Sequence, residues 1–346
     1  MELNETPIRT SRNFNINNIN LDDVEFPNQK AKFENIEIAS ASAKITSGVK
    51  MEKLTYGNGK IVEENILNFA NNILKIEEIQ PNETVEINYN FDDENLNLIN
   101  YMEIDVKKQL NIVIKYNSKT SERCLHNGII KVFGKENSKA NITIINLLNE
   151  NSNNLESIEN ELENSSNMQY TIIDLGAKNS IINYFSNVIG ENAQNNVKTI
   201  YLGDGKQLKD LNYIVHLKGK KSKTDIDVQG ALNDEAKKHF KGTIDFKKGC
   251  KKAKGNENEY CMILSDKAKT IALPILLCTE DDVEGNHSSA SGKADKNELF
   301  YIMTRGISYK EAIKLMVKAR FYAILETVQN EKLKEEISEK IDKKLS

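Results

Sequence analysis

The sequence has no tryptophan and contains only four cysteines, four histidines and four prolines among its 346 residues. The cysteines (Cys124, Cys250, Cys261 and Cys278) are too few and too scattered for a disulfide framework. No CxxC pair occurs, which argues against a zinc or iron–sulfur site built from cysteines of this chain alone. No run approaches the ~18 apolar residues of a membrane-spanning helix, and the first residues do not resemble a signal peptide. We therefore expect a cytoplasmic protein.

Neither sign of charge is in excess, because 47 lysines and arginines stand against 51 aspartates and glutamates. Proteins that bind nucleic acid usually carry a basic surplus for phosphate contacts, so that class is not indicated. The sequence also lacks the nucleophile elbow, the P-loop, the HExxH zinc motif and the EF-hand loop. This composition predicts a soluble protein that is poor in catalytic side chains.

Asparagine is the residue in excess, with 45 copies, of which 38 fall in the first 200 residues. The preferred interpretation is a compositional bias that fills exposed loops with asparagine. The alternative is a turn-rich region, because asparagine accepts turn and left-handed conformations at low cost. Both can hold.

Residues 1–84 are expected to form an arm followed by one helix. Residues 1–29 contain few apolar positions and are typical of a loosely held arm. From 59 to about 78 the apolar residues recur near helical spacing, and the pattern stops before the turn signal at Pro81. The apolar positions of this predicted helix are Ile61, Ile66, Leu67, Phe69, Ile73 and Leu74.

From residue 85 to 292, short runs rich in β-branched residues recur every ~10–20 residues, each closed by a polar or glycine turn, which predicts an all-β region. A sandwich or a barrel fits this pattern as well. Very short strands, few hairpin signals and loosely repeated strand–glycine units favour a β-solenoid. The polar stretch 151–167 interrupts the pattern, and we expect a short surface helix or a loop there.

Residues 293–346 are expected to form a C-terminal helical domain. Asp295 and Ser308 each stand three residues before a glutamate, which is the capping-box spacing at a helix start, and Gly306 is placed to end the first helix. The helix after Ser308 is apolar around most of its circumference. That pattern predicts burial on more than one side, within the fold or against a partner.

His287 has the clearest functional context of the four histidines, because it lies in a predicted polar loop with acidic residues upstream and small residues around it. An accessible histidine in such a setting acts as a metal ligand or proton carrier more often than a core histidine does. The lysine runs 218–223 and 247–254 are interpreted as solvated turns, with contact to an acidic partner as the alternative.

The segment 274–325 resembles the C-terminal signature of the SufB/SufD family of iron–sulfur cluster assembly proteins. The resemblance covers 195–330 clearly and 85–195 more weakly. The chain departs from the SufD-like pattern at Gly285, where SufD-like chains often have a cysteine. Cys261 falls near, but not on, the cysteine of SufB-like chains, and Ser288 stands where they often have a glutamate, so the SufD-like members are favoured. The matching residues are Pro274, Asp281-Asp282-Val283, His287, Leu299-Phe300-Tyr301, Arg305-Gly306-Ile307-Ser308 and the helix from Tyr309.

The resemblance implies a mainly β fold with a right-handed parallel β-helix core over 85–292, between a helical N-terminal part (1–84) and a C-terminal helical domain (293–346) that docks the ABC-type ATPase SufC. It implies pairing with a SufB-like subunit or a second copy, and a transient iron–sulfur cluster at that interface. His287 is then a cluster or metal ligand shared with the partner chain, and Cys261 is a weaker candidate. The implied docking residues are Leu299, Phe300, Tyr301, Arg305, Gly306, Ala312, Leu315, Met316 and Phe321.

The expected function is that of a SufD-like, non-catalytic subunit of a cluster assembly complex. No cofactor is expected to be held tightly by the chain alone, and flavin binding is left open. The alternatives are a SufB-like homodimeric scaffold and a structural or interaction solenoid with no cluster role. A carbohydrate-acting solenoid is disfavoured, because the candidate acids Asp225 and Asp227 lie in a lysine-rich stretch without tryptophan. Neither nucleic acid nor membrane is expected as a partner.

Overall fold

The computed structural model describes residues 1–10, 16–40, 43–78 and 82–346. It contains four helices and twenty strands within those ranges. The helices are α1 (Lys60–Phe69), α2 (Lys296–Thr304), α3 (Tyr309–Leu325) and α4 (Glu331–Lys344). Numbered in chain order, the strands are β1 (Glu2–Leu3), β2 (Ile19–Asn20), β3 (Ile36–Ser40), β4 (Lys44–Ser47), β5 (Asn72–Glu77), β6 (Glu83–Phe91), β7 (Asn97–Val106), β8 (Gln109–Ser118), β9 (Leu125–Gly134), β10 (Lys139–Leu147), β11 (Asn153–Leu162), β12 (Asn167–Asp174), β13 (Asn179–Val188), β14 (Gln194–Gly203), β15 (Leu208–Leu217), β16 (Lys223–Leu232), β17 (Lys237–Phe246), β18 (Ala253–Ile263), β19 (Lys269–Cys278) and β20 (Val283–Gly292).

From β5 onwards the chain alternates between two nine-stranded sheets, so that each turn contributes one strand to each sheet. The first sheet has the order β3-β6-β8-β10-β12-β14-β16-β18-β20, and the second has the order β4-β5-β7-β9-β11-β13-β15-β17-β19. Pairing between successive turns is parallel and in register, as where Tyr170 pairs with Val197 and Val197 with Ile226. The predicted mainly β fold with a β-solenoid core and C-terminal helices is confirmed.

Side chains alternate between the interior of the solenoid and its outer faces, because successive residues of a strand point to opposite sides. The interior holds a continuous apolar core with a file of fully buried tyrosines. The ring of Tyr184 lies 5.1 Å from that of Tyr170 and 5.6 Å from that of Tyr213. Because side chains at equivalent inner positions stack on one another, the apolar core is continuous from one turn to the next.

Each outer face is covered by a different part of the chain. On the second sheet lie α1 and the N-terminal arm, through residues such as Leu3, Val62 and Ile66. On the first sheet lie α3 and α4, through residues such as Phe321 and Ile337. The antiparallel strands β3 and β4 close the N-terminal end of the two sheets, whereas β19 and β20 are the edge strands at the other end.

Two segments differ from their predicted structure. The N-terminal part has one helix, which ends at Phe69, and residues Asn72–Glu77 form β5 instead of continuing it. Leu74 and Ile76 of β5 alternate into the interior, and Ile76 pairs with Ile104 of β7. Pro81, the predicted stop signal, lies outside the described residues.

The stretch 151–167 is neither a helix nor a loop over most of its length, because Asn153–Leu162 forms β11 within the second sheet. The apolar residues of this stretch do not form one helical face. They are divided between two faces, with Leu155 under the N-terminal cover and Ile158 in the interior. The polar residues between them are buried, so the polarity of the stretch does not indicate exposure.

Many of the asparagines are buried, which contradicts the interpretation that they fill exposed loops. Asn127 donates hydrogen bonds to Val62 O and Asn65 Oδ1, and Asn183 donates to Asn4 Oδ1 at 2.9 Å. A buried polar layer of this kind ties the arm and α1 to the second sheet. The turn interpretation holds at three asparagines with positive φ at turns, Asn82, Asn137 and Asn192.

Glu156 of β11 is a carboxyl group in the interior, 1% exposed. The Tyr116 hydroxyl donates to its Oε2 at 2.8 Å, and its Oε1 has no hydrogen-bond partner among the described residues. Burial raises the pKa of Glu156 to about 8. The group is therefore neutral in the folded chain at neutral pH.

Replacing Glu156 with glutamine is expected to flatten the pH dependence of stability. The stability that a neutral Glu156 contributes is present below the unfolded-state pKa of about 4.3, and is lost as the pH rises towards about 8, with a slope of up to ~1.4 kcal/mol per pH unit. Urea unfolding from pH 5 to 7.5 measures it. Parallel curves for the wild type and the Glu156→Gln variant would contradict the assignment.

Candidate functional site

At its C-terminal end the solenoid has two edge strands, β19 and β20. In the preceding turns most inner residues are buried, but every residue of β20 is exposed or half-buried. The outer edges of both strands carry backbone groups with no neighbouring strand in the described part of the chain. An edge of this kind is a template for pairing with another chain unless it is blunted. We call this end the open end.

His287 lies on β20, at the open end, and not in a loop as the sequence suggested. Its backbone partner is Glu257 of β18, one turn earlier, so the two side chains share the inner face. The side chain of His287 is exposed, and it forms no hydrogen bond or ion pair within the described ranges. The ring is therefore free to meet a ligand or a partner chain.

Glu257 is buried directly beneath this position, with 2% of its surface exposed. Neither carboxyl oxygen has a hydrogen-bond partner in the described structure. Burial, and secondly the charge of Glu259, raises the pKa of Glu257 to about 8. Gly242 of β17 leaves the space for this carboxyl group, because a Cβ atom there would lie 2.4 Å from Glu257 Cδ.

Glu259, the next inner residue of β18, is fully paired. Lys238 Nζ lies 2.7 Å from Glu259 Oε1, and both side chains are fully buried. The hydroxyl of Ser289 donates to Oε2 at 2.7 Å, and that of Tyr201 donates to Oε1 at 3.3 Å. The two glutamates thus differ in kind, since one is held in an ion pair and the other has no partner.

Cys261 is not brought to His287. It pairs with Ser291, four residues beyond His287 on β20, which places it about 13 Å away along the strand. Burial raises the pKa of its thiol, which disfavours the reactive thiolate. Over the described ranges, no three His, Cys, Asp or Glu side chains gather in a group that could hold a metal ion.

Glu257, Glu259 and Lys238 were missed from the sequence. Charged residues on a strand normally indicate a solvent-facing side, and these three face the interior. The sequence did contain a sign of their burial for β18. Cys261 is a core residue, and every second residue before it lies on the same face of the strand, which places Glu259, Glu257 and Gly255 inside as well.

The C-terminal helices begin as the sequence predicts. Asp295 accepts from the backbone N–H groups of Asn297 and Glu298, and Ser308 forms a capping box with Glu311. Gly306 follows α2 with φ of 86°, in the left-handed region that favours glycine.

The predicted docking residues fall into two groups. Ala312, Met316 and Phe321 are buried against the outer face of the first sheet or its neighbouring helices, so their apolar character is explained within the chain. The guanidinium of Arg305 lies over the Tyr301 ring, 5.1 Å from its centroid. The remaining predicted residues, Leu299, Phe300, Tyr301, Arg305, Gly306 and Leu315, are half-buried or exposed.

Large apolar side chains stay exposed on α2 and α3, and we call them the exposed apolar set. Phe300 is 70% exposed, Tyr301 59%, Leu315 48% and Tyr322 64%. No residue of α2 is buried. Exposed apolar groups of this size in one region mark an interaction surface more often than a solvated one.

A family model described as SUF system FeS cluster assembly, SufBD core domain, matches residues 92–320. The chain belongs to the SufBD family. The matched residues include β18, β19, β20, α2 and most of α3, so they cover the open end and, of the exposed apolar set, Phe300, Tyr301 and Leu315.

Curated relatives agree with this SufBD assignment. The iron–sulfur cluster assembly protein SufD of Bacillus subtilis is 31% identical over 161 residues, which are 46% of this chain and 37% of that protein. A SufBD family protein of Pyrococcus horikoshii is 29% identical over 56% of this chain and 43% of its own length. SufD of Plasmodium berghei is 26% identical over 63% of this chain and 16% of its own length. The chain therefore spans less than half the length of each. None of the described helices is long and apolar enough to cross a membrane.

Proposed function

We propose that this SufBD chain is a SufD-like, non-catalytic subunit of an iron–sulfur cluster assembly complex. It pairs through the open end with a SufB-like subunit and docks the ABC-type ATPase SufC on α2 and α3. The observation that carries the proposal is that the folded chain leaves two kinds of surface uncovered, an unpaired strand edge and the exposed apolar set.

The open end supports pairing with a second chain. A cluster needs about four ligands, commonly thiolates. At the open end this chain offers one exposed histidine, His287 on β20, and one exposed cysteine, Cys278 at the last position of β19. A second chain that covers β19 and β20 would supply the missing ligands. The cluster is then transient cargo held between subunits, and no tightly bound cofactor is assigned to this chain.

The exposed apolar set supports docking of the ATPase. One side of α3 is seated on the first sheet, and residues on its other side remain bare. A partner that covers this side would complete the two-sided burial that the sequence of α3 predicts. The sequence lacks a P-loop, so ATP hydrolysis is assigned to the partner.

Replacing Phe300 and Tyr322 together with alanine is expected to weaken binding of the SufC ATPase at least about 30-fold, because a single buried aromatic anchor already contributes about 2 kcal/mol or more to such an interface. Isothermal titration with purified SufC measures the change. Point substitutions are required, because removing α3 and α4 would expose the apolar outer face of the first sheet.

The matched control is Ile61→Ala, which removes an apolar side chain that is 57% exposed on α1. It should bind SufC as the wild type does. Unchanged binding by the Phe300→Ala/Tyr322→Ala variant, with its thermal midpoint unaltered, would reject docking on this surface.

A further inference from the structure

Glu257 is a buried carboxyl group with no partner for either oxygen, and among the described carboxylates it stands alone in that respect. Buried polar groups in folded proteins are nearly always hydrogen-bonded, so an exception calls for an explanation. The site is also shaped for the group. Gly242 provides space that any other residue would fill, since its Cβ would lie 2.4 Å from Glu257 Cδ.

The register of the first sheet places a potential ligand beside this group. Glu257 and His287 are backbone partners on adjacent parallel strands, and such strands lie about 4.8 Å apart with equivalent side chains on the same face. His287 is exposed at the open end and Glu257 is the inner residue below it. The two side chains therefore leave neighbouring positions of one face of the sheet.

We propose that Glu257 and His287 form a half-site for a divalent transition-metal ion of the Fe²⁺ type. An imidazole nitrogen and a carboxylate oxygen are ligands that such ions accept together. The cation would supply the charge partner that Glu257 lacks in the described structure. The inference rests on the proposed function in one respect, which is that the chain covering the open end provides the remaining ligands.

The neighbouring carboxylate is not part of the half-site. Both oxygens of Glu259 are occupied, by Lys238 on one side and Ser289 on the other. Cys261 is too far along the strand to join. The half-site therefore consists of one histidine and one glutamate, which agrees with the absence of any three-ligand group in the described ranges.

Titration of the full chain with Co²⁺, followed by its visible absorbance, tests the half-site without any partner. The wild type should bind one equivalent. Glu257→Gln and His287→Ala should each weaken binding at least about 10-fold, and the double variant should be no weaker than the poorer single one, because both residues serve one ion. The matched control is Glu284→Gln, which removes an exposed carboxylate from the same strand as His287 and should change affinity less than two-fold.

Three results would overturn the half-site. The first is wild-type affinity in Glu257→Gln together with a loss in His287→Ala; His287 would then keep its ligand role in the proposed function. The second is absence of Co²⁺ binding by the wild type, which leaves the docking of SufC untouched. The third is wild-type affinity in Gly242→Ala, which keeps both ligands but fills the space for the carboxyl group, and which serves if Glu257→Gln fails to fold.

Discussion

Replacing Lys209 with methionine is expected to lower the free energy of unfolding by about 3–5 kcal/mol. Lys209 and Asp174 form an ion pair inside the solenoid, with Nζ 2.9 Å from Oδ1 and both side chains fully buried. Lys209 Nζ also donates to the carbonyl of Gly176. Methionine fits the space of the lysine stem. Among the described residues it leaves Asp174 with only the amide of Asn146, and with an Oδ2 that already lacks a partner.

Chemical denaturation of the Lys209→Met variant measures this loss. The double variant Asp174→Asn/Lys209→Met removes both charges and should recover most of the stability, since the cost arises from an uncompensated buried carboxylate. The matched surface control is Lys221→Met, whose ion pair with Glu191 is about half exposed on both sides and should contribute less than about 1 kcal/mol. Equal losses for Lys209→Met and Lys221→Met would show that the interior pair has no special role.

The fold could be predicted from the sequence where only one face of a strand is buried. In residues 224–228, Ile226 and Val228 face the interior while Asp225 and Asp227 face outwards, which is the period-2 pattern of a half-buried strand. Under α1 and the arm both faces are buried, as at Ile129 and Ile130 of β9, and the period is lost. Strands with one exposed face could therefore be recognised from the sequence, but the sequence did not show which segments are covered on both faces.

Polar residues inside the solenoid are a further reason why parts of the structure were predicted wrongly or missed. Glu156 and its neighbours made β11 look like a surface helix, and the paired Lys238 and Glu259 gave no sign of burial. Such pairs are satisfied only by contacts between turns, about 20–35 residues apart in sequence for Lys238–Glu259 and Lys209–Asp174. A single sequence does not reveal which turns they join.

For the candidate site, too, the sequence predicts one residue and misses its neighbour. His287 was found because it lies in a recognisable family motif, and its neighbourhood of small and acidic residues was consistent with access. Glu257 had no motif and lies 30 residues earlier, a separation that becomes a contact only through the register of β18 and β20. What the structure adds is therefore the neighbour of the motif residue, not the motif residue itself.

Replacing Phe321 with alanine is expected to destabilise the chain by about 3–5 kcal/mol, because a fully buried phenylalanine leaves a cavity that its surroundings fill only in part. Phe321 is 1% exposed and belongs to the cluster in which α3 and α4 meet Ile173 and Ile200 on the first sheet. Tyr322, the next residue of α3, is 64% exposed. Tyr322→Ala should therefore change stability by less than about 0.5 kcal/mol.

Comparing Phe321→Ala with Tyr322→Ala separates the two roles that α3 has in the proposed function, which are packing on the first sheet and docking of SufC. Urea unfolding should show the loss for Phe321→Ala alone, and titration with SufC at a temperature where both variants are folded should show the loss for Tyr322→Ala. Adjacent side chains on one helix point about 100° apart, so the assignment depends on orientation and not on position in the sequence. Two results would contradict this assignment: a stability loss in Tyr322→Ala, or a folded Phe321→Ala variant that binds SufC less tightly than Tyr322→Ala does. Either would mean that the partner contacts the other side of the helix and that α3 leaves the first sheet on docking.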